Sequence, residues 1–171
     1  MKAASLLNRA DIQYTSDSSN TASKPDTSQP IPPAGFGPTG EIVRVVDGDI
    51  VELQTNETVC IRLHGIDTPE KGQPFGKAAT REVSRLIAGT TIGVEAQGTD
   101  LYGRTIGVIY LDGKNINVMM VESGCAWWYR QYARDDLNPM QAETNAKEAK
   151  RGLWADPDQI APSECWGRSD Q

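Results

Sequence analysis

Histidine and cysteine are scarce in this chain, with one of the first and three of the second in 171 residues. A single histidine excludes a His-rich metal centre, and no Cys–His spacing resembles a zinc site. The cysteines at 60, 125 and 165 allow at most one bridge and leave one thiol over. No apolar run approaches the length of a membrane span. The start carries Lys2 and a short apolar patch, but Asn8 and Arg9 end it too early for a signal peptide. Either the protein stays inside or its true start lies upstream, so the compartment stays open. Basic excess is also missing: 17 Lys and Arg face 23 Asp and Glu, a net charge of −6. That argues against broad coating of nucleic acid, whose phosphates call for a basic surface. It leaves room for an enzyme that grips one phosphate with a few local arginines and a metal ion.

What is present reads as one globular domain with unstructured flanks. Residues 1–38 are rich in Ser, Thr, Asp, Asn and Pro without helical or strand period, the composition of a disordered arm. The domain runs over 39–156, and 157–171 reads as an irregular tail. Strands are expected over 41–46, 50–53, 59–66, 91–96 and 105–111, with turn signals at Asp47-Gly48 and Asp112-Gly113. A helix is expected over 75–88, its apolar residues on one face and Gly89 at its end. A shorter helix over 118–123 takes Asn117 as its cap. A third begins at Asn138-Pro139 and runs to about Arg151, with Glu143 and Lys147 spaced for a helical pair. Leu153 and Trp154 then fold back as an apolar latch. Five short strands with a helix between the third and fourth and helices after the fifth give an α+β architecture. It is a five-stranded OB-fold barrel with three helices packed on it.

The chain is organised around Arg62 to Glu70. Cys60, Arg62 and His64 alternate with Val59, Ile61 and Leu63, and the strand pattern stops at Asp67-Thr68-Pro69-Glu70. Pro69 biases Thr68 toward extended backbone, which leaves its carbonyl free to face a ligand. A carboxylate beside a bare backbone oxygen suits a hard cation. Alone, the same tetrapeptide also reads as a helix start, Asp67 capping and Glu70 completing a capping box. Gly72 and Pro74 leave such a helix little length. Asp47-Gly48-Asp49 is a hairpin turn by composition, and its functional reading aims Asp49 at a metal shared with Asp67. The loop from Thr99 to Arg104 reads as a polar connection. Alternatively it brings Arg104 to a phosphate oxygen and Tyr102 to a base or sugar.

These pieces occur in a fixed order: Asp47-Gly48-Asp49, then Arg62 with Ile66-Asp67-Thr68-Pro69-Glu70, then Asp100-Leu101-Tyr102-Gly103-Arg104. So arranged, the chain resembles the staphylococcal nuclease family from about Val43 to Trp154, including Asn117, Gly124 and Lys150-Arg151-Gly152-Leu153-Trp154. The resemblance implies a calcium-dependent phosphodiesterase that cuts DNA and RNA and acts as a monomer. On it, Asp49, Asp67 and the Thr68 carbonyl hold Ca²⁺, and Glu70 is the general base for the attacking water. Arg62 and Arg104 bind the phosphate and stabilise charge in the transition state, while Tyr102 and Tyr132 contact substrate. Elementary chemistry agrees, since phosphodiester hydrolysis needs in-line attack, preorganised positive charge and fixed geometry. The rival is a catalytically silent OB-fold module that binds nucleic acid or protein, which need not keep Asp49, Arg62, Asp67, Glu70 and Arg104 together.

The chain departs from the family in places. Ile50 stands where a threonine is usual, and Leu101 where the best-known member is basic. Trp127 and Trp128 read as core or groove wall rather than a stacking platform. His64 falls on the Arg62 side by alternation, but the matching family position has no catalytic histidine, so its role reads as structural or superficial. The cysteines read as small apolar side chains, or as a Cys125–Cys165 bridge.

Overall fold

The structure, a computed structural model, describes residues 37–156 together with 161 and 162. Apart from 37, 38, 161 and 162, the expected arm over 1–38 and tail over 157–171 lie outside the described residues. The strands are β1 (Thr39–Asp47), β2 (Ile50–Gln54), β3 (Thr58–Leu63), β4 (Ile66–Asp67), β5 (Thr91–Thr99), β6 (Thr105–Leu111), β7 (Lys114–Asn115) and β8 (Trp127–Trp128). Alongside them run helices α1 (Gly76–Ile87), α2 (Ile116–Glu122) and α3 (Leu137–Glu148), then a short 3₁₀ turn over Gly152–Ala155.

Antiparallel pairing runs β3-β2-β1-β5-β6-β7, and β3 also pairs with β6 in parallel, Ile61 opposite Thr105. That last ladder joins the two ends of the sheet, so β1, β2, β3, β5 and β6 close into a barrel with no open edge between β3 and β6. The expected five-stranded barrel with three helices is the fold. Inward residues alternate along each strand as the pleat requires: Val51 and Leu53, Ile61 and Leu63, Ile92 and Val94 are all buried. They meet Ala79, Val83 and Ile87 of α1 and Ile116, Met120 and Val121 of α2 in one core. A second cluster joins Trp127, Leu153 and Ala161 with Phe75 and Trp154, so the latch at 153–154 is present. Trp127 and Trp154 meet edge to face at 6.5 Å.

Several boundaries differ from expectation for identifiable reasons. The strand over 59–66 is broken at His64-Gly65, and Ile66–Asp67 pairs separately with Trp127–Trp128. Helix α2 is capped by Asn115, whose side chain accepts from the Val118 N–H at 3.0 Å. Asn117 is instead a buried clamp: its carbonyl oxygen accepts from Ile109, and its amide donates to the His64 and Gly107 carbonyls. Helix α3 is capped by Asp136 rather than Asn138, and it ends at Glu148. Asp112 and Gly113 both have positive φ (51° and 74°), the conformation of a type I′ hairpin turn between β6 and β7.

Candidate active site

The turn between β1 and β2 delivers Asp49. Gly48 has no room for a side chain, since a Cβ there would lie 2.7 Å from Thr68 Oγ1 and 2.9 Å from the Ala79 methyl. The side chains of Thr68 and of Ala79 on helix α1 therefore pack directly on the Gly48 backbone. Asp47 finishes the turn, its carboxylate accepting from the Gly48 N–H at 2.8 Å and from the Thr80 hydroxyl at 3.3 Å. Ladder pairing sets Ile50 opposite Arg62, and the Leu63 N–H donates to the Asp49 carbonyl at 2.8 Å.

Arg62 stands between two acids. Its Nη1 donates to Asp49 Oδ2 at 2.6 Å, and its Nη2 lies 3.9 Å from Asp67 Oδ1. Asp67 is held by the two-residue ladder of β4 with β8, where it faces Trp127. Asp67 thus belongs to a strand, and α1 starts at Gly76 behind Phe75, so the capping-box reading of Asp67 and Glu70 falls. Asp49, Asp67 and Thr68 are all buried. Burial pushes the Asp49 carboxyl up to about 6; Arg62 opposes this, and the Asp67 and Asp47 carboxylates add to it. Two buried carboxylates thus share the Arg62 guanidinium, and their mutual repulsion adds to the cost of charging Asp49.

The neighbouring carboxylates, and the chemistry of the donors, fit a divalent oxygen-loving cation. Two carboxylates and a backbone carbonyl are hard ligands of the kind calcium takes. Among the described residues no group of three or more His, Cys, Asp or Glu side chains is placed to hold a metal. A cation seated here would have at most the Asp49 and Asp67 carboxylates as side-chain ligands, with the Thr68 carbonyl and water to complete its shell.

Arg104 arrives from the other side of the barrel seam. Asp100 organises its loop alone: Oδ1 accepts from the Tyr102 and Arg104 N–H groups at 2.9 and 3.0 Å, and Oδ2 from Arg104 Nε at 2.6 Å. Because Arg62 is registered opposite Ile106 in the parallel ladder, Arg104 extends the same outward row beside Cys60. Its charge acts on the Cys60 thiol, which burial nevertheless raises. The guanidinium also sits 5.2 Å from the Tyr102 ring centre, and Tyr102 itself is 84% exposed. Leu101 beside it is fully exposed.

Glu70 is less tightly joined to this group. It lies on the exposed loop three residues beyond Asp67. Among the described residues no hydrogen bond or ion pair ties its carboxylate to Arg62 or Arg104. Tyr132 is exposed and packs against Tyr129, ring centres 4.9 Å apart and planes at 71°. Sequence reasoning passed over Tyr129. Its hydroxyl is raised by burial first, then by Tyr132 and Asp67 against the pull of Arg62, which places it within reach of the site charges. The strand alternation that would have flagged it is lost in the two-residue β8.

His64 takes no part in the Asp49–Arg62–Asp67 group. It is half-buried after the end of β3 and lines a small cavity with Asn117, Asp136 and Pro139. Burial lowers its pKa, with Asp136 and Glu95 opposing. Among the described residues Cys60 and Cys125 are free thiols; Cys165, the other half of the expected bridge, lies outside the described residues.

A closed five-stranded barrel that sets a guanidinium between two buried aspartates, with a second arginine in the loop just before β6, defines an OB-fold domain with a charged site on its wall. Comparison with known proteins makes the class specific. Residues 60–156 match the family described as staphylococcal nuclease homologue. An uncharacterized endonuclease of Escherichia coli is 43% identical over 125 residues, covering 72% of this chain and 81% of that protein. An uncharacterized endonuclease of Haemophilus influenzae is 38% identical, covering 78% and 75%. The micrococcal nuclease of Shigella flexneri is 36% identical over 143 residues, covering 77% and 82%. The chain belongs to the staphylococcal nuclease family.

Proposed function

We propose that this protein is a calcium-dependent endonuclease that hydrolyses phosphodiester bonds in DNA and RNA as a monomer. Endonuclease activity follows from membership of the family; calcium and the breadth of substrate are our own reading. The observation that carries it is Arg62 held between Asp49 and Asp67 at 2.6 and 3.9 Å. In this arrangement a fork of N–H donors stands where a phosphate and a cation would share the remaining space. Among the described residues no helix is long and apolar enough to cross a membrane.

In the proposed reaction Arg62 and Arg104 each donate paired hydrogen bonds to the non-bridging oxygens of the scissile phosphate. Those donors match the charge that builds up as water attacks in line. Glu70 accepts a proton from the attacking water, and its exposed carboxylate is free of competing cations among the described residues. A calcium ion on Asp49, Asp67 and the Thr68 carbonyl would add a Lewis acid next to the phosphate. Tyr102 on one side and Tyr132 with Tyr129 on the other offer rings against which bases or sugars pack. Tyrosine faces supply contact without sequence preference, which suits a broad nuclease.

The test is cleavage of single-stranded DNA and RNA by the purified full chain with Ca²⁺ or with a chelator. Cleavage with Ca²⁺ and none with chelator is the expected result. Chelator-insensitive cleavage would remove the metal from the proposal. Absence of cleavage under any divalent ion would favour the silent binding module.

A further inference from the structure

We propose that Gln73 is a positioning residue for the general base, holding Glu70 at the cleavage site; the inference rests on the role assigned to Glu70 above. A carboxylate on an exposed loop is a poor base unless its main chain is fixed, because a misplacement of about 1 Å can cost about 10²-fold in rate. Here both polar main-chain groups of Glu70 are taken by one residue. The Glu70 N–H donates to Gln73 Oε1 at 2.9 Å, and the Glu70 carbonyl accepts from the Gln73 N–H at 2.8 Å. Only the amide oxygen can accept from an N–H, so this bond also fixes which way the Gln73 amide faces.

The clamp is anchored to the fold at its far end. The Gln73 carbonyl accepts from the Gly76 N–H, the first residue of α1, at 3.1 Å. Gly76 packs directly on Glu70: a Cβ there would come within 2.0 Å of the Glu70 carbonyl oxygen. Two prolines bracket the segment, Pro69 before Glu70 and Pro74 after Gln73, and each narrows the conformations of its predecessor.

Phe75 supplies an independent sign that this geometry is imposed. Its φ is 65°, a left-handed conformation that a bulky side chain resists. It is held there with its ring packed against the Trp127–Leu153 cluster. Unfavourable backbone of this kind persists only where surrounding structure over-determines it, and it gathers at functional sites. An ordinary lead-in to a helix needs none of this, and α1 has no side-chain cap bond at its start. Main-chain carbonyls serve the first turn instead, Gln73 accepting from the Gly76 N–H and Phe75 from the Ala78 N–H at 2.9 Å, so the Gln73 side chain is left for Glu70.

A double-mutant cycle on the full chain with Ca²⁺ separates positioning from plain stability. Gln73→Ala should lower kcat on single-stranded DNA by about tenfold or more, with KM changed less than about twofold. Gln73→Glu retains an acceptor for the Glu70 N–H and should recover most of that loss. In a Glu70→Gln background, which has no base to position, Gln73→Ala should cost less than about twofold further. Equal losses in both backgrounds, or a Gln73→Ala protein with wild-type kcat, would overturn the inference. Thermal unfolding of each variant shows whether a loss tracks stability; a loss that does so and is equal in both backgrounds counts against it. Failure of the underlying reading looks different: the single variant Glu70→Gln would keep near wild-type kcat, removing the base and with it any residue that acts through it.

Discussion

Asp49 and Glu143 are equally buried, each 4% exposed, yet the fold treats the two carboxylates differently. Glu143 on α3 accepts from the Trp128 N–H at 3.1 Å, from Arg130 at 3.2 Å and from Lys147 at 2.7 Å. Two cations and a backbone donor meet one acid, and both cations also lie over tryptophan rings, Arg130 over Trp128 and Lys147 over Trp154. Asp49 has one strong partner, Arg62, and shares it with Asp67. The first centre is complete within the chain and fastens α3 to β8. The second sets two buried carboxylates against one shared guanidinium, an arrangement in which like charges sit side by side and a bound cation would lower their repulsion.

The comparison breaks most sharply at Glu143. Glu143→Leu should destabilise the fold by roughly 3 kcal/mol, because it orphans a backbone N–H and unpairs two cations; their partial exposure keeps the figure at the low end for a broken buried pair. Denaturant unfolding reads this directly. Because β8 pairs with the strand carrying Asp67, the same variant should also weaken activity.

At the other centre, Arg62→Lys should cost on the order of 2 kcal/mol or more of transition-state stabilisation through loss of a forked donor. Arg104→Lys should follow the same direction. Rates on single-stranded DNA check both, and activity within a few-fold of wild type would end the assignment of either arginine.

Asp49 sharpens the contrast through pH. Its folded pKa, about 6, lies above its ordinary value of 3.8 because burial disfavours the charged form. A raised acid binds its proton more tightly when folded, so its contribution to stability is present below about pH 4 and lost as pH climbs through 6. Metal-free protein should therefore lose on the order of 2 kcal/mol from this group between pH 4 and 7. Calcium should restore stability at pH 7 and have little effect at pH 4. Thermal melts at both pH values, with and without Ca²⁺, measure it. The smallest effect is on Asp49→Asn, which should raise the melting temperature of metal-free protein at pH 7 by a few degrees. Glu143→Gln should lower it. Equal signs would erase the distinction between the two centres.

How much of this could be read in the chain depends on how local the determining forces are. Helix α1 was legible because its buried face and Gly89 lie within one stretch of sequence, and it spans 76–87 against an expected 75–88. The β6–β7 turn was legible because Asp-Gly tolerates positive φ. Asn117 misled, since an asparagine before an apolar run looks the same whether it caps its own helix or clamps strands far away. Its partners at His64 and Gly107 are set by barrel closure. Glu143 was legible only as half of a pair with Lys147; its bond to Trp128 crosses from helix to strand. The site divided along the same line. Asp49, Arg62 and Asp67 lie together, and among the described residues no hydrogen bond or ion pair to Asp49 or Arg62 adds Glu70 or Arg104 to them. The main-chain clamp on Glu70 and the proximity of Tyr129 depend on loop geometry that no periodicity encodes.

The most direct test of the central claim is calorimetric titration of Ca²⁺ into the full chain at pH 7, beside the Asp49→Asn variant. One saturable binding event in the wild type, lost in the variant, is the predicted result. No heat in either protein, or the same binding in both, would contradict a cation seated between Asp49 and Asp67.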